Sequence, residues 1–436
     1  MNTSRWAKIV WRAIYTLLLY LLSPLAFFLF ARPAFSAPAE FRRIKERLGY
    51  VPNLPEGKTI WLHAVSVGEV QAAAPLIQRL ARTWPEYQLW ITTSTFTGSM
   101  HLRRSLPSPY SHSYLPYDLP GAVARFLRRS KPTLAIMMET ELWPNLLQAC
   151  GRRGVPVLIV NGRMTARSYS RYRRVLPLIQ SALSGVSVVL AQSASDAQRF
   201  RALSARRVIL TGNLKFDLQI QDGLEANGKR LRAQLGTDRP IWIAASTHPG
   251  EENLILQACR RVITELPHAL LILVPRHPDR FEPVAALCAR HGFSTVRRSA
   301  QCSCPPETNI FLGDSMGELM QFYAASDVAF VGGSLVPVGG HNILEPAALG
   351  LPVLTGPYTQ NSKEIIALFD RSQAIRIVSD DVTLSAAVVE LLTHRDIAAA
   401  QGARGQRLIK ENAGVLNTTI AVLQQYLEAR LPPQLV

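Results

Sequence analysis

The chain has 436 residues, 48% of them hydrophobic, and a formal net charge of +17 from 48 Lys and Arg against 31 Asp and Glu. That length provides for two domains with full cores and one further element. The positive charge allows nucleic acid, an anionic bilayer or phosphorylated substrates as partners, but no helix-turn-helix, RNP-like or zinc-finger signature is present, which argues against nucleic acid.

The further element comes first. Ala13 to Phe30 carries no charge and is interrupted only by Ser23 and Pro24, and about 20 such residues span a bilayer. Ala34-Phe35-Ser36-Ala37 resembles a small-residue cleavage site, yet the apolar run is longer than a signal-peptide core. A retained anchor over residues 1–38 is therefore expected. The basic residues Arg32, Arg42, Arg43, Lys45 and Arg47 after it outnumber Arg5, Lys8 and Arg12 before it, which favours a cytoplasmic C-terminal bulk. Five scattered cysteines (Cys150, Cys259, Cys288, Cys302, Cys304) have no zinc spacing and read as thiols in a reducing compartment.

From Thr59 short apolar runs alternate with amphipathic stretches. Strands are expected at Ile60–Val65, Gln88–Thr93, Leu134–Met138, Val155–Val160, Ser187–Ala191 and Val208–Thr211, with helices such as Val70–Thr83, Ala122–Arg129 and Leu142–Arg152 between them. A polar linker is expected over Asp217 to Pro240. The pattern restarts with strands at Ile241–Ala245, Ala269–Val274, Asn309–Leu312, Val328–Val331 and Pro352–Thr355, and the tail from Leu384 reads as helix. Such alternation implies parallel sheets with right-handed crossovers. The expected architecture is α/β: an anchor, a domain at 39–222 and a domain at 223–436, both doubly wound and facing one cleft, with ligands beyond the carboxyl ends of strands.

Those strand ends carry the chemistry. In the first half, Glu69 follows Gly68 where a helix opens, a place for a general base. Glu139 heads Glu139-Thr140-Glu141-Leu142-Trp143-Pro144-Asn145, in which one carboxylate is expected to cap a helix. Arg163 and Lys215 end later strands, and the Lys215 ammonium could neutralise a departing phosphate. In the second half, His248-Pro249-Gly250-Glu251-Glu252 and Val274-Pro275-Arg276-His277-Pro278 each follow a strand, and Arg276 offers a planar cation for phosphate. Gly313-Asp314-Ser315-Met316-Gly317-Glu318 follows a third, with Ser315 or Asp314 as helix cap. The glycine-rich turn ending in His341-Asn342 follows a fourth, and Asn342 and Glu345 share one helix face. There Glu345 could accept the hydroxyls of a ribose while backbone N–H groups hold phosphate. No G-x-G-x-x-G or P-loop accompanies them, so a nucleotide-activated sugar donor is the expectation, and no D-x-D cluster calls for a metal.

Together His63–Glu69, Glu139–Asn145, Gly212-Asn213-Leu214-Lys215-Phe216-Asp217, Pro275–Pro278 and the Gly332–Glu345 segment make the chain similar to the 3-deoxy-D-manno-octulosonic acid (Kdo) transferases of lipopolysaccharide core synthesis. The resemblance implies a two-domain GT-B glycosyltransferase on the inner membrane, its catalytic domains cytoplasmic and an anionic lipid surface as partner. It implies CMP-Kdo as donor, the lipid A precursor lipid IVA as acceptor, and no cofactor. Its catalytic base falls on Glu69 and its transition-state residues on Glu139 and Lys215. Its CMP contacts fall on Pro275, Arg276, Met316, Gly317, Glu318, Asn342, Ile343, Leu344 and Glu345. The alternative is a UDP-sugar-dependent transferase of the same fold acting on a membrane lipid; a tethered nucleotide-binding scaffold is the non-enzymatic rival.

Overall fold

The computed structural model describes the chain apart from residues 1–4, 36–42, 54–56, 107–108, 219, 221 and 429–436, and gives the backbone alone at 23–35. It divides into two compact units, Met1–Asp217 with Ala413–Val436, and Leu218–Asn412.

The first unit holds α1 (Arg5–Phe35), α2 (Ile44–Arg47), β1 (Lys58–His63), α3 (Val67–Thr83), β2 (Tyr87–Thr93), α4 (Phe96–Ser105), β3 (Ser111–Tyr114), α5 (Pro120–Ser130) and β4 (Leu134–Met138). It continues with α6 (Pro144–Arg152), β5 (Val157–Gly162), α7 (Ala166–Arg174), α8 (Leu176–Leu183), β6 (Val188–Ala191), α9 (Ala194–Ala202) and β7 (Val208–Leu210). The strands form one seven-stranded parallel sheet ordered β3-β2-β1-β4-β5-β6-β7. Both faces of the sheet are covered, as a parallel sheet requires. Ile60 and Leu62 point to the side of α3, whereas Trp61 points to the side of α5, where it and Trp90 meet Phe126 edge-on at 4.9 and 6.0 Å. Their buried indole N–H groups donate to Thr92 and Ser113 on the neighbouring strands.

The second unit holds α10 (Leu224–Leu235), β8 (Ile241–Thr247), α11 (Glu251–Glu265), β9 (Leu270–Pro275), α12 (Phe281–Arg290), β10 (Thr295–Arg297), β11 (Ile310–Leu312), α13 (Leu319–Ala324) and β12 (Val328–Val331). After these come α14 (Leu344–Ala348), β13 (Val353–Thr355), α15 (Lys363–Arg371), β14 (Ile375–Ile377), α16 (Asp381–Thr393) and α17 (Arg395–Asn412). Its sheet is ordered β10-β11-β9-β8-β12-β13-β14, again all parallel. In both sheets the winding reverses beside the first strand, between β1 and β4 and between β8 and β12. Crevices at such reversals are where doubly wound sheets bind ligands.

The final helix α18 (Val415–Glu428) belongs with the first unit, not with the second domain as expected. Its Val415, Leu416, Ile420 and Leu423 complete the core on the α3 face, and Asp217 accepts the backbone N–H groups of Gly414 and Leu416. The expected linker also differs. Within it α10 buries Leu224, Leu231 and Leu235, and Gly228 packs so closely on Ala324 that a Cβ there would lie 2.5 Å from the Ala324 methyl.

The expected membrane-spanning anchor is not supported: among the described residues no helix is long and apolar enough to cross a membrane. The side chains of residues 23–35, which include the last eight of the apolar run, lie outside the described residues. The described part of α1 instead packs along α8 and α6, and two polar groups tie it to the first unit. Tyr15 donates to Asp118 at 3.0 Å and the Thr16 hydroxyl meets the Asn145 amide at 3.0 Å.

Candidate active site

In the first unit β1 and β4 run side by side, with His63 opposite Met137, so Glu69 and Glu139 emerge at the same sheet edge. Glu69 lies in the first turn of α3 and is half-buried. It bonds back to its own loop, accepting the Val65 N–H at 2.8 Å and the Ser66 hydroxyl at 3.4 Å. Burial raises its pKa to about 8, opposed by the Val65 bond and reinforced by the charges of Glu139 and Glu141. Such a carboxyl is poised to exchange a proton near neutral pH.

Glu139 holds a left-handed backbone, φ 56°, which costs a non-glycine residue of order 1 kcal/mol and clusters at functional positions. Neither Glu139 nor Glu141 caps α6, contrary to expectation. Asp118 does so, accepting the N–H groups of Asn145 at 2.9 Å and Leu146 at 2.7 Å. Glu141 is freed for the site: it accepts the Trp143 indole N–H at 2.7 Å and lies 3.8 Å from the buried His63 Nε2.

Lys215 sits in a short 3-10 turn after β7. Asn161, itself at φ 57°, accepts the Leu214 N–H and so ties this turn to the end of β5. Burial lowers the Lys215 pKa, the Glu139 charge raises it, and Arg163 lowers it further. The ends of β1, β4, β5 and β7 therefore gather Glu69, Glu139, Glu141, Arg163 and Lys215 into one electrostatically coupled group.

At the reversal of the second sheet the main organiser is Glu251, fully buried at the start of α11. Its carboxylate accepts the N–H groups of Gly333 at 2.7 Å, Ser334 at 3.0 Å, Leu335 at 2.9 Å and His248 at 3.2 Å. Glu251 thereby takes the N–H groups of Gly333, Ser334 and Leu335, the first part of the glycine-rich turn, away from a ligand phosphate. The one local signal for this role of Glu251 is a charged residue directly after Pro-Gly at a helix start.

Pro275 ends β9, and the Arg276 N–H donates to Thr247 at 3.0 Å. Asn342 donates to Glu345 at 3.0 Å and accepts the Leu344 N–H at 3.2 Å. Burial raises the Glu345 pKa, while Asn342 and the Arg276 charge lower it. Ile343 and Leu344 are buried in packing, so only their backbone could meet a ligand. Met316 is 60% exposed beside Gly317, whose φ of 85° opens the loop.

The expected cap at Ser315 or Asp314 is not there, since α13 begins only at Leu319. Asp314 is held by Arg297 and Ser299. Ser315 donates to Glu318, which Arg298 grips through both oxygens. Arg298 is thus a positioning residue for Glu318 that no motif signalled.

A family model described as "3-Deoxy-D-manno-octulosonic-acid transferase (kdotransferase)" matches residues 42–218. The 3-deoxy-D-manno-octulosonic acid transferase of Haemophilus influenzae is 40% identical over 424 residues, covering 96% of this chain and 99% of that protein. The corresponding protein of Bordetella pertussis is 34% identical over 95% and 99%. Among solved structures, the UDP-GlcNAc 2-epimerase of Neisseria meningitidis superposes with TM-score 0.56 at 15% identity, over 85% of this chain and 100% of that one; at that identity the likeness speaks to the two-domain, GT-B-like fold. With coverage nearly end to end in its curated relatives at 34–40% identity, the chain belongs to the 3-deoxy-D-manno-octulosonic acid transferase family.

Proposed function

We propose that the protein transfers Kdo from CMP-Kdo to lipid IVA, with Glu69 as the general base. The observation that carries this reading is a half-buried carboxyl raised to about 8 at the reversal of the first sheet, beside Glu139 and Lys215. Ionised Glu69 takes the proton from an acceptor sugar hydroxyl. The hydroxyl oxygen bonds to the anomeric carbon of Kdo, and the bond from that carbon to the phosphate oxygen breaks, its electron pair leaving with CMP. Lys215 and Arg163 are the cations that meet negative charge at the first edge, and Arg276 serves the donor phosphate at the second. Glu345, already bonded to Asn342, receives the ribose hydroxyls. Cationic side chains are the main holders of the phosphate in this reading, because Glu251 occupies the N–H groups of Gly333, Ser334 and Leu335.

We place the catalytic portion on the cytoplasmic side of the inner membrane, with α1 against the bilayer surface. The support is its inverted amphipathicity. The polar groups Tyr15 and Thr16 face the protein, whereas Trp6, Val10, Ile14, Leu17 and Leu21, at helical spacing, are 45–77% exposed. An apolar stripe with basic residues at its start suits an anionic lipid interface. The test is mass spectrometry of lipid IVA after incubation with the protein and freshly prepared CMP-Kdo. A product heavier by one or more Kdo residues is expected. An unchanged acceptor, with CMP binding retained, would overturn the acceptor assignment, and stabilisation by UDP but not CMP would favour the UDP-sugar reading.

A further inference from the structure

His248 follows β8 and His341 ends the glycine-rich turn after β12, yet their Nε2 atoms lie 2.8 Å apart, with ring centroids 5.0 Å apart and ring planes within 9° of parallel. A nitrogen–nitrogen contact of that length needs one N–H and one bare lone pair. The pair therefore shares a single proton across the contact and leaves one ring with an unprotonated Nδ1. Its placement is tightly defined. A Cβ on Gly333 would lie 2.8 Å from the His341 ring and 3.4 Å from that of His248, so only glycine, at φ 65°, lets the rings meet above the backbone.

The groups around the pair come from each neighbouring element. Arg276 and His277 follow β9, with the His277 ring edge-on to His248 at 5.4 Å. Glu251 of α11 accepts the His248 N–H, and Glu345 of α14 interacts with Arg276. Asn361 donates to Gly340 O beside His341, and the Tyr358 backbone borders the same glycine. Burial first, then the neighbouring Arg276 and His277, lowers the pKa of both rings, that of His341 to about 4.

We propose that His248 and His341 are a positioning pair for the donor: their shared proton latches the glycine-rich turn that presents Asn342 and Glu345, and the pair takes up one further proton when an anionic nucleotide binds. The added proton goes to the bare Nδ1, so the Nε2–H···Nε2 bond survives while the pair becomes a cation facing the ligand. This rests on the reading that the second unit binds a nucleotide phosphate, and it assigns to two histidines a charge that the N–H groups of Gly333, Ser334 and Leu335, held by Glu251, do not supply.

The experiment is titration calorimetry of the full chain with CMP at pH 6 in buffers of differing ionisation enthalpy, which counts protons exchanged on binding. CMP's own ionisation is common to every protein and cancels in the comparison. The wild type should take up roughly 0.5–1 proton more than His248→Gln/His341→Gln, because linkage converts a raised pKa into bound protons. His341→Gln alone, whose amide can still bond His248, should keep the wild-type melting temperature and lose part of the uptake, whereas a purely structural pair would leave the proton count unmoved. Equal proton counts in wild type and double variant, with CMP bound by both, would overturn the pair and spare the nucleotide site. Absence of any CMP binding by the wild type would overturn the reading beneath it. Should the double variant melt early, the His341→Gln comparison decides.

Discussion

Glu69→Gln is the sharpest perturbation of the proposed mechanism, because it preserves side-chain size and removes the proton acceptor. The structure supplies the magnitude. With a pKa of about 8, about one Glu69 in ten is ionised at pH 7 and about one in a hundred at pH 6. If ionised Glu69 is the base, kcat/KM of the wild type must climb about tenfold per pH unit from 6 toward 8 and then level off. The glutamine variant should lose about 10²–10⁴ of the rate and should lose the acid limb as well. Burial is the leading cause of the raised value and the Glu139 charge adds to it, so Glu139→Gln should shift the surviving limb toward acid even as it lowers the plateau. The assay is product formation from CMP-Kdo and lipid IVA followed by mass spectrometry across about pH 5.5–9. A rate that falls through pH 8 would mean that the protonated carboxyl is the active form. A flat profile in which the glutamine variant keeps rates within tenfold of wild type would remove Glu69 from the chemistry altogether.

Lys215→Met should lower kcat by about 10²–10³, the scale of losing one preorganised charge at a departing anion, while the KM for CMP-Kdo changes little; a change confined to KM would make Lys215 a ground-state binder. Glu251→Ala strips the acceptor from four backbone N–H groups and should cost at least about 3 kcal/mol in urea unfolding, together with CMP affinity; a loss below about 1 kcal/mol would mean that water replaces the carboxylate. Exchanging the exposed Leu17 and Leu21 for glutamine should weaken co-sedimentation with anionic vesicles by about 2 kcal/mol or more, without loss of turnover on detergent-dispersed acceptor. Unaltered sedimentation would separate α1 from the membrane.

Much of this protein was legible without coordinates. Buried parallel strands must be continuous apolar runs, and runs such as Leu134–Met138 and Ile241–Ala245 declare themselves because both faces of the sheet are covered. Gly and Pro punctuate strand-to-helix turns, so the mouths carrying Glu69 after Gly68, Glu139 before Pro144, Arg276 between Pro275 and Pro278, and Glu345 after Gly339-Gly340 could be found by punctuation alone. The short edge strands β3, β10 and β14 escaped, since Ser111–Tyr114, Thr295–Arg297 and Ile375–Ile377 are three or four residues long and only half-buried ladders distinguish them from loop.

Partnership was the part that only the tertiary structure decided. Periodicity says where a side chain sits along its own element and nothing about which distant group answers it. Asp118 takes the α6 cap that local rules assigned to Glu139 or Glu141, Glu251 reaches across to the backbone 82 residues away, and α18 returns to complete the first core. The charge of a carboxylate is equally non-local: the letters at position 69 are those of any helix-start glutamate, and it is burial beside Glu139 and Glu141 that turns this one into a group titrating near neutral pH.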